Sequence, residues 1–323
     1  MNTSVKSRDF YFDTLKGFLI LFVIIGNSLE LANPKNINTH YFILFLYMFH
    51  MPLFTFVSGY FSKLSSRTTV EKVKYTFKLY IIAQLSYIIF YKYILGNEGY
   101  EFEFMHSQWT LWYLLSLTCW YILSDYVTNK KKWIICSILV SLIIGFDNSV
   151  NSVGSLSRTL FFFPFFILGM SFNKNYIDIL KKHKFKLLIV SCIILFVLYI
   201  LSNKIEIELL FEFEPYSNFS DNLFFPLFIR CFHYLGSLII GSFILCLIPE
   251  RKTIISLIGR NSLILYLLHG AISYILIGYG FTKYDNIITL VISELIIILF
   301  TIALSALYIN LKTFINTRKT KIL

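Results

Sequence analysis

Apolar runs dominate this chain, and polar residues are confined to short stretches between them. A helix that crosses a bilayer needs about 20 mainly apolar residues, and about ten runs approach that length. They lie near 12–32, 40–62, 75–95, 109–126, 133–147, 158–173, 185–202, 223–248, 261–281 and 286–310. The pattern predicts an all-α, polytopic membrane helix bundle of about ten transmembrane helices. It forms one integral membrane domain over residues 1–323, with no large soluble domain and no internal repeat. The first run has no small-residue cleavage site and is read as a retained span rather than a signal peptide.

The connections set the orientation. Lys6 and Arg8 precede the first run. Lys63, Arg67, Lys72, Lys74 and Lys78 surround the second connection, and Lys130, Lys131 and Lys132 form the fourth. Lys174, Lys181, Lys182, Lys184 and Lys186 occupy the sixth, and Arg251, Lys252 and Arg260 the eighth. Lys312, Arg318, Lys319 and Lys321 close the chain. The loops between are acidic: Glu98, Glu101 and Glu103 in one, Glu206, Glu208, Glu212, Glu214 and Asp221 in another. Cationic loops stay on the cytoplasmic side, so both termini are expected in the cytoplasm and the number of spans is even.

The first run carries the most informative pattern. Asp13, Lys16, Asn27 and Glu30 interrupt its apolar residues. At about 100° per residue, the step from Lys16 to Asn27 returns to within about 20° of one face, about 16 Å along the axis. Positions 13, 16, 20, 23, 27 and 30 therefore form one seam, polar at both ends. Polar groups in a membrane helix are costly and face a bundle interior or a wet cavity. Lys16 then lies near the cytoplasmic end, with Asn27 toward the outer half. Arg8, Lys16, Lys63 and Arg67 together would make a basic mouth suited to the phosphates of a coenzyme. Ordinary flanking charge explains Lys63 and Arg67 better than it explains Lys16.

Other buried polar residues stand out. In the second run Pro52 removes a backbone donor and is expected to kink or open the helix just after His50, a residue able to shuttle protons. A structural hydrogen bond is the plainer role for a lone membrane histidine. Trp109 and Trp112 open the fourth run, as an interfacial aromatic belt or as a platform for a sugar ring. Arg158 opens the sixth, placed to bind an acidic acceptor or to pair with an outer acid such as Glu30. Arg230 and His233 share one helical face, as do Tyr266 and His269. Asn261 and Ser262 mark a helix start.

Composition agrees with the pattern. Hydrophobic residues make up 57% of the 323 positions and charged residues 15%, against about 25% charged in soluble domains. The net charge of +11 follows from the cytoplasmic loops and does not indicate nucleic acid. The five cysteines lie in apolar runs without paired spacing, which argues against a disulfide framework and a zinc site. Phosphate-loop, dinucleotide-fold and nucleophile-elbow motifs are absent from the sequence, and no metal is expected.

These residues make the chain recognisable. It resembles the acyltransferase-3 family of integral membrane acyltransferases, in the branch similar to fucose 4-O-acetylases. The resemblance rests on Asp13-x-Leu-Lys16-Gly, His50-Met-Pro-Leu-Phe-x-Phe-x-Ser58-Gly59-Tyr-Phe and Trp109-x-x-Trp112-Tyr-Leu-Leu. It continues in Arg158-Thr-x-x-Phe-x-Pro164-Phe-Phe-x-Leu-Gly169 and Gly259-Arg-Asn261-Ser262-Leu-x-x-Tyr266-Leu-Leu-His269.

The resemblance implies transfer of an acyl group, usually acetyl, from cytoplasmic acyl-CoA to a hydroxyl of a cell-envelope or lipid-linked saccharide. Arg8, Asp13 and Lys16 would serve the donor. Ser58, Trp109, Trp112, Arg158 and His269 would serve the acceptor, and Asn27, Glu30 and His50 the reacting atoms. The expected setting is a bacterial cytoplasmic membrane. The family places a histidine after the basic position with ten residues between them, and here Asn27 stands there. Asparagine hydrogen-bonds but cannot take a proton. The chain is then a weakened or inactive relative, or uses another base such as His50 or Glu30, or carries a substitution at that position. A non-catalytic exporter or binding protein for a saccharide precursor is the alternative, and a scaffold subunit the plainest one.

Overall fold

The computed structural model describes residues 8–34, 36–97, 106–149 and 153–322. Lys6, Glu98, Glu101 and Glu103 lie outside the described residues, as do the side chains of Arg318, Lys319 and Lys321. Regular structure among the described residues is entirely helical. The α-helices are α1 (Phe10–Ala32), α2 (Ile37–Leu64), α3 (Thr69–Ile89), α4 (Trp112–Ser124), α5 (Lys130–Ile144) and α6 (Leu156–Ser171). They continue with α7 (Tyr176–Lys182), α8 (Lys184–Leu201), α9 (Phe224–Leu247), α10 (Ile254–Gly259), α11 (Ser262–Gly278) and α12 (Ile287–Ile322).

A helix occupies each apolar run read from the sequence; α7 and α10 are short additions between runs. Among the described residues α1, α2, α8, α9 and α12 are long and apolar enough to cross a membrane. The pair α6 and α7, bent by 104°, makes a sixth if counted as one broken span. Large apolar side chains stay exposed along these helices, including Phe196 at 64% and Leu299 at 63%. Such surface suits lipid rather than water. The protein is a multi-pass helical membrane protein.

The described residues form two compact units, one of 8–34 with 248–322 and the other of 36–247. In the first, α1 packs on α10, α11 and α12. Its start is capped by the Asp9 carboxylate, which accepts from the Tyr11 N–H, and its end by Asn33 in the left-handed conformation. Gly17 and Gly259 let α1 and α10 touch backbone to backbone. A Cβ on Gly17 would meet the Ile255 carbonyl, and one on Gly259 the Asp13 carbonyl.

The second unit repeats this device. A Cβ on Gly59 of α2 would meet the Phe166 carbonyl of α6, and one on Gly169 of α6 the Phe56 carbonyl of α2. Small residues allow close helix approach in membranes, where lipid removes the hydrophobic drive for helix pairing. Pro52 does not open α2, which remains one helix throughout. The carbonyl it leaves without a donor is that of Met48, four residues earlier. The Ser237 hydroxyl of α9 donates to that oxygen at 2.6 Å. The expected opening is absent because a neighbouring helix supplies the missing donor.

Candidate functional site

The first unit holds the polar seam of α1. Asn27 is half-buried, and its Nδ2 lies 3.0 Å from Nε2 of the fully buried His269 on α11. The other ring nitrogen of His269, Nδ1, lies 2.7 Å from the Tyr266 carbonyl one turn earlier. A carbonyl only accepts, so Nδ1 carries the proton and donates to it. Nε2 then presents its lone pair, and the Asn27 amide donates to it. The result is a neutral imidazole in a fixed tautomer with its basic nitrogen against the polar seam. Glu30, one turn beyond Asn27, is also half-buried.

At the other end of the seam Asp13 is buried and takes two cations. Lys16 Nζ stands 2.9 Å from its Oδ1 and Arg8 Nε 2.5 Å from its Oδ2. One carboxylate thus holds both cationic side chains. A further acid, Glu294 of α12, is buried in this unit. Its Oε2 is 2.5 Å from the Ser28 hydroxyl, and the Tyr284 hydroxyl donates to its Oε1 at 3.3 Å. Glu294 is the single acid in the apolar run 286–310, a signal already present in the sequence.

The second unit carries the other candidates. His50 is buried, with Nδ1 2.5 Å from the Leu46 carbonyl on its own helix. Its tautomer is therefore fixed as in His269, with the proton on Nδ1. Ser58 is joined to the Tyr113 hydroxyl at 2.6 Å. Trp109 begins a single 3-10 turn, Trp109–Leu111, that leads into α4. Trp112, the first residue of α4, stacks on Phe162 at 5.3 Å. Arg158 donates from Nε to the Phe211 carbonyl at 2.8 Å, and its guanidinium lies 4.9 Å from the Trp112 ring and 4.5 Å from the Phe213 ring. Lys63 donates to the Phe172 carbonyl, and Arg67 lies over the Tyr75 ring; both have structural partners.

A buried ion cluster lies in the same unit. Glu212, from the acidic loop before α9, sits with φ of 61° and is 3% exposed. Its Oε2 is 2.5 Å from Arg230 Nε, an ionic contact off the N–H axis, and its Oε1 is 2.8 Å from His233 Nδ1. Arg230 Nη2 donates to the Ser157 hydroxyl at 2.7 Å and to the Glu212 carbonyl at 3.2 Å. Arg230 and His233 do share one face, as their spacing implies. Their common partner, an acid expected in a solvent-facing loop, left no signal in the sequence. Among the described residues no group of three or more His, Cys, Asp and Glu side chains is arranged to hold a metal ion.

The first unit thus sets an oriented imidazole against the polar seam of α1. The comparisons give the family. The chain belongs to the acyltransferase-3 family, whose acyltransferase domain matches residues 9–310. It is also similar to the nodulation protein NolL of Sinorhizobium fredii (strain NBRC 101917 / NGR234), with 26% identity over 211 residues. That match covers 59% of this chain and 56% of NolL, so the chain spans about half the length of this curated relative. No solved structure matches the chain.

Proposed function

We propose that the protein is an O-acyltransferase, of the branch similar to fucose 4-O-acetylases. It moves an acyl group, acetyl in the simplest case, from cytoplasmic acyl-CoA to a hydroxyl of a cell-envelope or lipid-linked saccharide. In this reading the whole chain is one functional domain in a bacterial cytoplasmic membrane, with about ten spans and both termini in the cytoplasm. The observation that carries it is the Asn27–His269 pair, 3.0 Å apart. The family's histidine position holds an amide here, and the amide touches a histidine from another helix.

His269 is the base in this scheme. Nε2 takes the proton of the acceptor hydroxyl, the oxygen attacks the thioester carbonyl, and the carbon–sulfur bond breaks. The same proton then passes to the departing thiolate, giving the ester and free CoA. Asn27 orients Nε2 and offers an N–H toward negative charge on the carbonyl oxygen. Lys16 and Arg8, held by Asp13, attract the donor's phosphates. The family resemblance assigns Arg158, Trp112, Trp109 and Ser58 to the acceptor, and Glu30 and His50 to the reacting atoms.

CoA release from acetyl-CoA tests this, using purified protein in nanodiscs with a membrane extract as acceptor source. His269→Gln is expected to lower the rate by about 10²–10⁴, the usual worth of a general base. Asn27→Ala is expected to lower it less, because the base remains. Equal rates for the parent protein and His269→Gln would refute the assignment. Release seen only after Asn27→His would instead identify an intact acyltransferase scaffold silenced at one position.

A further inference from the structure

The corner between α6 and α7 borders an open pocket of about 350 Å³, within the range of roughly 300–1,000 Å³ that small-molecule sites occupy. Its wall includes Leu53 and Phe56 of α2, Leu168 of α6, Ile179 and Leu180 of α7, and Leu245 of α9. Ser237 also lines it, but its hydroxyl already donates to the Met48 carbonyl. The wall is thus close to purely apolar and offers little to a polar solute.

The rim is different. α7 turns away from α6 by 104° and buries Ile177, while Tyr176 and Ile179 are each 50% exposed. A short helix with an apolar face, an aromatic residue and terminal lysines suits the plane of a membrane interface. Lys181 and Lys182 directly follow the lining residues Ile179 and Leu180, and Lys184 begins α8. On α7 itself Asp178 is the one acid.

We propose that this cavity binds one acyl chain of an anionic phospholipid whose phosphate rests on Lys181, Lys182 and Lys184. The apolar wall accounts for the chain, and the three cations select the charged head group over a zwitterionic one. None of the lining residues is assigned to acyl transfer, and the proposal does not depend on that assignment.

Native mass spectrometry of the full-length protein tests this. The protein is released from nanodiscs containing equal amounts of phosphatidylglycerol and phosphatidylcholine with identical chains. One phosphatidylglycerol per protein is expected, enriched at least tenfold over phosphatidylcholine. A juxtamembrane lysine is worth roughly a fivefold change in anionic-lipid binding, so Lys181→Gln/Lys182→Gln/Lys184→Gln should abolish the enrichment. The unfolding temperature of the triple variant checks that the fold survives the substitutions. Ser242→Leu, which fills the cavity from its wall, should lower retention of both lipids at an unchanged unfolding temperature. Equal retention of the two lipids by the parent protein, or enrichment that survives the triple change, would overturn the proposal. Displacement of the lipid by palmitoyl-CoA but not by CoA would overturn it in favour of a donor-chain pocket.

Discussion

Gly59→Ala places a methyl group where α2 and α6 already touch. The new carbon would lie on the Phe166 carbonyl of α6, a backbone group that cannot swing aside as a side chain can. The reciprocal contact, Gly169 against the Phe56 carbonyl, lies one turn away along the same line. The helices must therefore separate by about 1 Å, which forfeits a quarter to a half of each dispersion contact across the seam. If the seam holds roughly 40 atom pairs at about 0.1–0.2 kcal/mol each, the loss is about 1–4 kcal/mol. Overpacked cores elsewhere lose about 1–3 kcal/mol. The control is Gly278→Ala, because nothing lies within 4 Å of a Cβ there and alanine is the better helix former by up to about 1 kcal/mol. Reversible unfolding in bicelles measures both. Gly59→Ala should unfold well before the parent and Gly278→Ala at or after it. Adding Gly169→Ala to Gly59→Ala should cost less than the two single losses combined, since the helices are already apart. A Gly59→Ala protein as stable as Gly278→Ala would refute the backbone-contact argument.

Other consequences follow from individual contacts. Lys16→Gln removes one charged donor, worth about 1.5–3 kcal/mol when it meets an anion; steady-state kinetics should show KM for acetyl-CoA raised about tenfold or more with kcat little changed, and an unchanged KM would remove Lys16 from the donor site. Glu212→Leu leaves the Arg230 guanidinium buried without its carboxylate and should destabilise by about 3–5 kcal/mol. Glu212→Leu/Arg230→Met should recover much of that loss in bicelle unfolding, and a double variant no more stable than the single one would contradict this. At the exposed start of α3, the Thr68 backbone N–H and hydroxyl hold the Glu71 carboxyl below its ordinary value of 4.5. A lowered folded value gives stability that is present above pH 4.5 and lost as pH falls through the folded value. Glu71→Gln, which removes the titrating carboxyl, should therefore weaken the acid-side slope of stability in a pH titration, and an unchanged slope would show that Glu71 is not its source.

Much of the architecture was legible because membrane helices announce themselves by run length, and every apolar run holds a helix. The two short helices were not. Only six residues long, α10 is defined by its contact with α1, and no local period marks such an element. Pro52 misled for a related reason. Its effect on α2 depends on whether a neighbour can donate to Met48, and Ser237 lies 189 residues away. The site divides in the same way. Spacing along α1 grouped Lys16, Asn27 and Glu30, since one helix fixes their relative angles. It could not find His269 as the partner of Asn27, 242 residues distant, or Glu294 against Ser28.

The asparagine at position 27 shows why this matters for chemistry. Taken alone, an amide at a histidine position argues for lost catalysis, because an amide cannot accept the proton. The contact with His269 changes the argument from one residue to a pair. His269 has its proton fixed on the side away from the seam by the Tyr266 carbonyl, so the nitrogen toward Asn27 is the basic one. Asn27 then occupies that nitrogen with a donor, and in the proposed reaction an acceptor hydroxyl takes the place of the amide. His50 has the same tautomer, fixed by Leu46, so orienting an imidazole through its own helix occurs twice in this chain. A helix carbonyl three or four residues back is always available as such an acceptor. An intramembrane histidine can therefore be oriented by its own helix, and a neighbouring amide, which brings no charge into the bilayer, meets its second nitrogen.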